Sequence, residues 1–326
     1  MDTPLARELG LEFPIFAFTH CRDVATAVSK AGGFDARELD ARIPAEHRRF
    51  VDEFLARYEV PPLADDADLR GEMAVGFEQQ REVIEMLFDY KIKLIASALG
   101  PPPAWMIEQG RARGVKVAAL AGTVEHARRH AAAGADIIVA QGYGAGGPTG
   151  EVATMDLVPE VVDAVAPLPV LAAGGIGTGR QNAASLALGA QGVWLGSLWL
   201  TTEEAETHPV VKQKFLKATS SDTIRSRAIT GKPAPQRKSA WTEAGEDPAN
   251  PKPLPMPLQP RLVREAQSRI SRSAHESPGA AELINCIVGQ IVGSMNHVES
   301  VRTVMQDLVS EYADTLERLE EWSGED

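Results

Sequence analysis

From residue 91 to residue 197 one pattern recurs: a short apolar run, a break rich in glycine or proline, then a stretch with helical spacing. The apolar runs fall at 92–99, 115–121, 135–141, 168–175 and 192–197, and an earlier one, 13–19, lies near the start. They are continuous rather than alternating. Strands read this way when both faces are covered, as in a parallel sheet wrapped by helices. Between them, 104–114, 124–133, 155–165 and 180–188 space their apolar residues as helices do. Repeats of about 20–28 residues suit one strand, one turn and one helix.

A closed β/α barrel and an open doubly wound sheet both satisfy this alternation. Small residues at the strand ends and glycine-bearing loops after the last two strands favour the barrel. The open sheet would place GxGxxG after its first strand, and that motif is absent there. Six strands are visible where a full barrel has eight. The missing pair is expected between Gly33 and Lys91, yet 34–90 reads as helix, with Phe50, Phe54, Leu55 and Tyr58 on one face and Val83, Ile84, Leu87 and Phe88 on another. The expectation is therefore a TIM-type parallel β/α barrel over 1–219, either contracted or short of a segment. A proline-rich covering loop (220–260) and a C-terminal helical region (261–326) follow, with helices expected at 261–275 and 279–322. In the last of these Val301, Val304, Met305, Leu308, Tyr312, Leu316 and Leu319 form a packing stripe. The expected partner is a small-molecule substrate, with a homodimer as a further expectation.

The net charge of −12 repels phosphate backbones and argues against nucleic-acid binding. Cys21 and Cys286 lie far apart and form no metal-ligand spacing, which suits a reducing, cytoplasmic setting. The charged first ten residues have no apolar core of a secretory signal. No apolar run approaches the roughly 20 residues of a membrane span.

Chemistry concentrates in two glycine-rich stretches. In Ala172-Ala-Gly-Gly-Ile-Gly-Thr-Gly179 a buried strand ends in Gly174 and Gly175 and runs into a helix, whose N-terminus presents N–H groups and a positive dipole end. One unit later Gly196 and Ser197 add further donors, so the two loops together suit a phosphate. The other stretch, Gln141-Gly-Tyr-Gly-Ala-Gly-Gly-Pro-Thr-Gly150, can lie flat against a ring system, with the Gln141 amide at its polar edge. His20 follows the first strand at the same rim, beside Thr19 and Cys21. His126 and His130 read as a solvated helix face, His208 as structural, and no metal site is expected.

These motifs, with 201–209 and 288–293, resemble the nitronate monooxygenase family, formerly 2-nitropropane dioxygenases. The resemblance implies an FMN-binding barrel in which Gly174, Gly175, Gly196 and Ser197 hold the phosphate. It places Ala145, Gly146 and Gly147 beside the flavin, Gln141 at its ring or ribityl chain, and Thr19 at the same rim. Where the family carries a catalytic histidine after Ala-Gly-Gly, this chain has Pro148, which lacks a side-chain donor, an ionisable group and an N–H. His20 is then the candidate catalytic residue. The implied activity is oxidation of a nitronate or similar small carbon acid with oxygen as acceptor. The alternatives are an FMN-dependent enoyl reductase-like enzyme and a flavin-binding protein without nitronate turnover.

Overall fold

The computed structural model describes residues 3–17, 40–63, 81–98 and 100–324. Six parallel strands form the main sheet: β1 (Ile15–Ala17), β2 (Leu94–Ser97), β3 (Lys116–Ala121), β4 (Ile137–Gln141), β5 (Val170–Ala173) and β6 (Val193–Leu195). Their order is β1-β6-β5-β4-β3-β2. From β2 to β6 each strand is laid beside the one before it, and the last returns to pair with the first through Ile15 with Val193 and Ala17 with Leu195. A doubly wound sheet reverses direction at a switch point, whereas this order never reverses and is the walk of a barrel. The result is a curled half-barrel. Among the described residues β1 and β2 are its two edges, and the expected additional strands between them do not appear.

The two faces of the sheet have separate cores. On the outer face Ala119, Ile138, Ala140, Val170, Ala172 and Val193 pack beneath helices that include α6 (Thr154–Val165), through Leu157, Val158 and Val161. On the inner face Ala118, Ile137, Val139, Leu171 and Ala173 are closed from one end by α1 (Pro4–Leu9), which supplies Leu5 and Leu9. Phe16 and Trp194 stack on that inner face, their ring centroids 6.1 Å apart. Strand alternation puts Gln141 on the same face as Ile137 and Val139, at the carboxyl end of β4.

The C-terminal third is more ordered than the sequence suggests. Within 220–260, expected as a covering loop, β7 (Thr223–Ser226) and β8 (Ala234–Arg237) pair as an antiparallel hairpin, and a helix runs over Ala240–Glu246. Trp241, Thr242 and Gln236 are buried there, so this stretch contributes to a core. The stretch 279–322, expected as helix, is instead a short helix at Pro278–Leu283, an irregular segment, and a long one at Val301–Ser323. The long helix packs against α7 (Gly179–Ala187), the helix after β5. A Cβ on Gly179 would stand 2.3 Å from Tyr312 N and 2.4 Å from Leu308 O, so the helices touch backbone to backbone. Leu308 is buried in this contact, while Leu316 and Leu319 farther along the expected stripe are exposed.

Gly179→Ala is expected to lower stability by about 1–3 kcal/mol through overpacking. Urea unfolding of the variant against the parent measures it, and an unchanged midpoint would contradict the close helix contact.

Candidate functional site

All six strands end on one side of the sheet, and the loops leaving β4, β5 and β6 converge there. Gly174 and Gly175 follow β5 with φ of +105° and +74°, values that a residue with a Cβ adopts at a cost. A Cβ on Gly174 would lie 2.8 Å from Gly142 O and 3.1 Å from Ala145 N. One on Gly144 would lie 3.4 Å from the Gly175 backbone. The two glycine stretches are therefore pressed together, the arrangement that the expected phosphate cup and ring platform call for.

A third strip of backbone completes the assembly. Gly289 donates its N–H to Ser197 Oγ at 2.8 Å, and Gln290 donates its own to Gly144 O at 3.0 Å. A Cβ on Gly289 would lie 2.4 Å from Gly144 O. Ile287 bridges to Gln236 of β8, and Gly147 donates to Pro235 O at 3.4 Å, which seats the hairpin on the same loop. Residues 288–293, one of the motifs behind the family resemblance, thus lie against the glycine loop. Their signal was the glycine pair Gly289 and Gly293.

The residues present fit an anionic group. Among the described residues the N–H groups of Gly175, Ile176 and Ser197 meet no acceptor, and Gly174, Gly175, Gly196 and Ser197 are half-buried rather than sealed. The N-terminus of α7 differs from expectation. Glu311 accepts from Gly179 N–H at 2.7 Å and pairs with Arg180, Thr178 caps the helix, and Gln181 accepts from Gly177 N–H at 2.8 Å while donating to Gly175 O at 2.8 Å. That dipole end is satisfied internally, so the donors left for a phosphate are those of the strand-end loops. A cavity of about 160 Å³ lies beyond, against the long C-terminal helix. It meets the cup only at Gly177, Thr178 and Leu198, and Glu299, Asp307 and Glu311 make it hostile to phosphate.

The loop 142–150 lies across the end of β3, its Gly150 so close to Gly122 that a Cβ would stand 2.1 Å from Gly122 O. Pro148 is exposed on it. Thr19, His20 and Cys21 lie outside the described residues. The other histidines take structural places. His130, expected on a solvated face, is buried with Nε2 3.0 Å from Leu120 O, and burial lowers its pKa. His208 accepts from Val210 N–H as a helix cap. Among the described residues no group of three or more candidate ligands could hold a metal. Cys286 is a free thiol whose pKa is pushed up by burial, which suits packing better than nucleophilic chemistry. No helix among the described residues is long and apolar enough to cross a membrane.

Comparison with known proteins adds the lineage. The sequence profile of the nitronate monooxygenase family matches residues 49–311. A putative monooxygenase, Rv1533 of Mycobacterium tuberculosis, is 50% identical and aligns over 98% of this chain and 99% of its own length. That alignment spans 371 positions against the 326 residues here, so the relative carries at least 371 less 326, or 45, residues without a counterpart. This is about the length of two strand–helix units. A probable nitronate monooxygenase of Bacillus subtilis is 31% identical over 77% of this chain and 73% of its own. In fold, the nitroalkane oxidase of Streptomyces ansochromogenes superposes with a TM-score of 0.74 at 24% identity, covering 94% of this chain and 98% of that one. With the profile match spanning most of its length, the chain belongs to the nitronate monooxygenase family, whose members are flavin-dependent oxidoreductases.

Proposed function

We propose that the protein is an FMN-dependent oxidoreductase that oxidises a nitronate or similar small carbon acid, with oxygen as acceptor. The observation that carries the reading is the convergence of the three glycine-bearing strips at the carboxyl ends of β4, β5 and β6, where the N–H groups of Gly175, Ile176 and Ser197 meet no acceptor among the described residues. A monophosphate tail suits a cup built from so few donors, which is the argument for FMN. Gly174, Gly175, Gly196 and Ser197 would hold that tail. Ala145, Gly146 and Gly147 would border the ring, and Gln141 would offer its amide from the inner face of β4 to the ring edge or ribityl chain. The family resemblance adds Thr19 to the proposed cofactor-binding residues. The bound flavin would supply the redox chemistry, electron transfer from the substrate to oxygen.

The chain's own residues supply position and exclusion of water. The hairpin and the 287–290 strip lie on the glycine loop and shield it from one side, so polar interactions beneath are strengthened. Pro148 leaves the loop without a proton acceptor at the position where the family pattern has histidine. His20 is the remaining candidate for a group that handles the substrate proton.

Three outcomes test this reading. The purified protein should release FMN, and anaerobic addition of ethyl nitronate should bleach the flavin band; a colourless protein would sink the proposal. Gly175→Ala should weaken flavin retention by about tenfold, whereas Gly114→Ala, at a similar φ of +67°, bears comparable strain away from the cup and should keep its flavin. Pro148→His should raise nitronate turnover by about 10²-fold, the low end of what one general base contributes; unchanged turnover with flavin bound would refute the role given to Pro148.

A further inference from the structure

Beside Pro148 two buried side-chain atoms have no hydrogen-bond partner: Thr149 Oγ1 and Arg225 Nε. Folded proteins leave few buried polar atoms unpaired, and each that remains calls for an explanation such as an ordered water, an ion or a functional role. Here the two atoms sit on neighbouring side chains. Arg225 reaches from β7 to the loop and donates from Nη2 to Thr149 O at 2.8 Å. Its guanidinium lies 5.5 Å from the Tyr143 ring centroid, and its side chain is 16% exposed, so it is held rather than free in solvent. The nearest carboxylate, Glu151, stands 3.6 Å from Nη1 and is 86% exposed, which makes it a weak, water-screened competitor.

The location ties this pair to the reacting side of the barrel. Thr149 and Gly150 lie against Gly122 at the carboxyl end of β3, in the loop that leaves β4. A guanidinium is always charged and cannot take a proton, so the pair is built to bind, not to act as a base. Its planar fork matches two oxygens in one plane. A hydroxyl that lacks an acceptor can give its proton to the same group.

We infer that Arg225 and Thr149 form a binding site for the planar oxyanion end of the substrate, a nitronate or carboxylate, taking the part that Pro148 has removed from the loop. The inference rests on the functional reading above and deepens it: the substrate is recognised as an anion, by charge and by paired hydrogen bonds.

The test uses the protein as purified with its flavin. Nitrate, a planar oxyanion that the flavin cannot oxidise, should compete with ethyl nitronate and bind in calorimetric titration. Arg225→Gln should raise KM for ethyl nitronate by about tenfold or more and abolish nitrate binding, with a smaller change in kcat. Arg225→Lys, which keeps the charge and loses the fork, should recover part of this. Thr149→Val should raise KM several-fold, about the worth of one charge-assisted hydrogen bond, and Thr149→Ser should not. An arginine that merely pins the loop would lower Tm and flavin content while leaving KM and nitrate affinity alone, and that pattern overturns the inference. So does failure of the parent protein to bind nitrate. If Arg225→Gln does not fold, Thr149→Val decides, and unchanged affinity there refutes the pair. If the parent carries no flavin, the functional reading fails by itself, and nitrate titration of the parent and of Arg225→Gln still judges the oxyanion site.

Discussion

Everything at this site depends on how closely three strips of backbone approach one another. Gly144, Gly174 and Gly289 each stand where a Cβ would meet a neighbouring main chain at 3.4 Å or less. Side chains at those positions would hold the strips apart and break the hydrogen bonds from Gly289 to Ser197 and from Gln290 to Gly144. Backbone is the only material that fits, and backbone brings N–H groups. The same constraint that closes the packing therefore exposes donors to an anion at the strand ends.

Glu311 sharpens where those donors are. Its carboxylate on Gly179 N–H and Arg180 satisfies the start of α7 from the long C-terminal helix. A second anion there would meet like charge, whereas Gly175, Ile176 and Ser197 lie outside that contact. The C-terminal helix thus does two things at once. It covers α7 by direct helix contact, and its Glu311 occupies the helix end that would otherwise attract an anion.

The parallel sheet was legible in the sequence because its strands are short continuous apolar runs with glycine stops, and each lies within a few residues of its expected place. The glycine-bearing strand ends were legible for a related reason: at Gly174, Gly175, Gly196 and Ser197 residue type alone says what backbone can do. The hairpin at 223–237 was not. Its strands carry Arg225, Pro235 and Arg237 in place of alternating apolar residues, and what holds them is Gln236, buried and bonded to main-chain carbonyls. Such a strand is defined by tertiary contact, which composition does not encode. His130 misled for the opposite reason: its neighbours Arg128 and Arg129 are charged, yet its own position turns inward to Leu120. Arg225 was hidden because its partner, Thr149, is 76 residues away.

Two features of this chain bear on the proposed substrate site. At least 45 residues of a half-identical relative have no counterpart here, and the described sheet ends at β1 and β2 without closing. Pro148 brings no hydrogen-bonding or ionisable side-chain group to the loop after β4. A complete barrel can surround a substrate with groups from eight strand ends. The described residues supply six, and in the proposed site recognition draws also on what lies over the rim. The hairpin is placed to supply it, because Pro235 already anchors Gly147 and Arg225 already reaches Thr149. Its attachment also keeps the guanidinium from following a mobile surface loop, since Arg225 is paired in register with Pro235 across the ladder. An ordered cation bonded to Thr149 of the glycine loop would attract a negatively charged carbon acid despite the protein's net charge of −12, because a close, partly buried charge outweighs distant ones screened by salt.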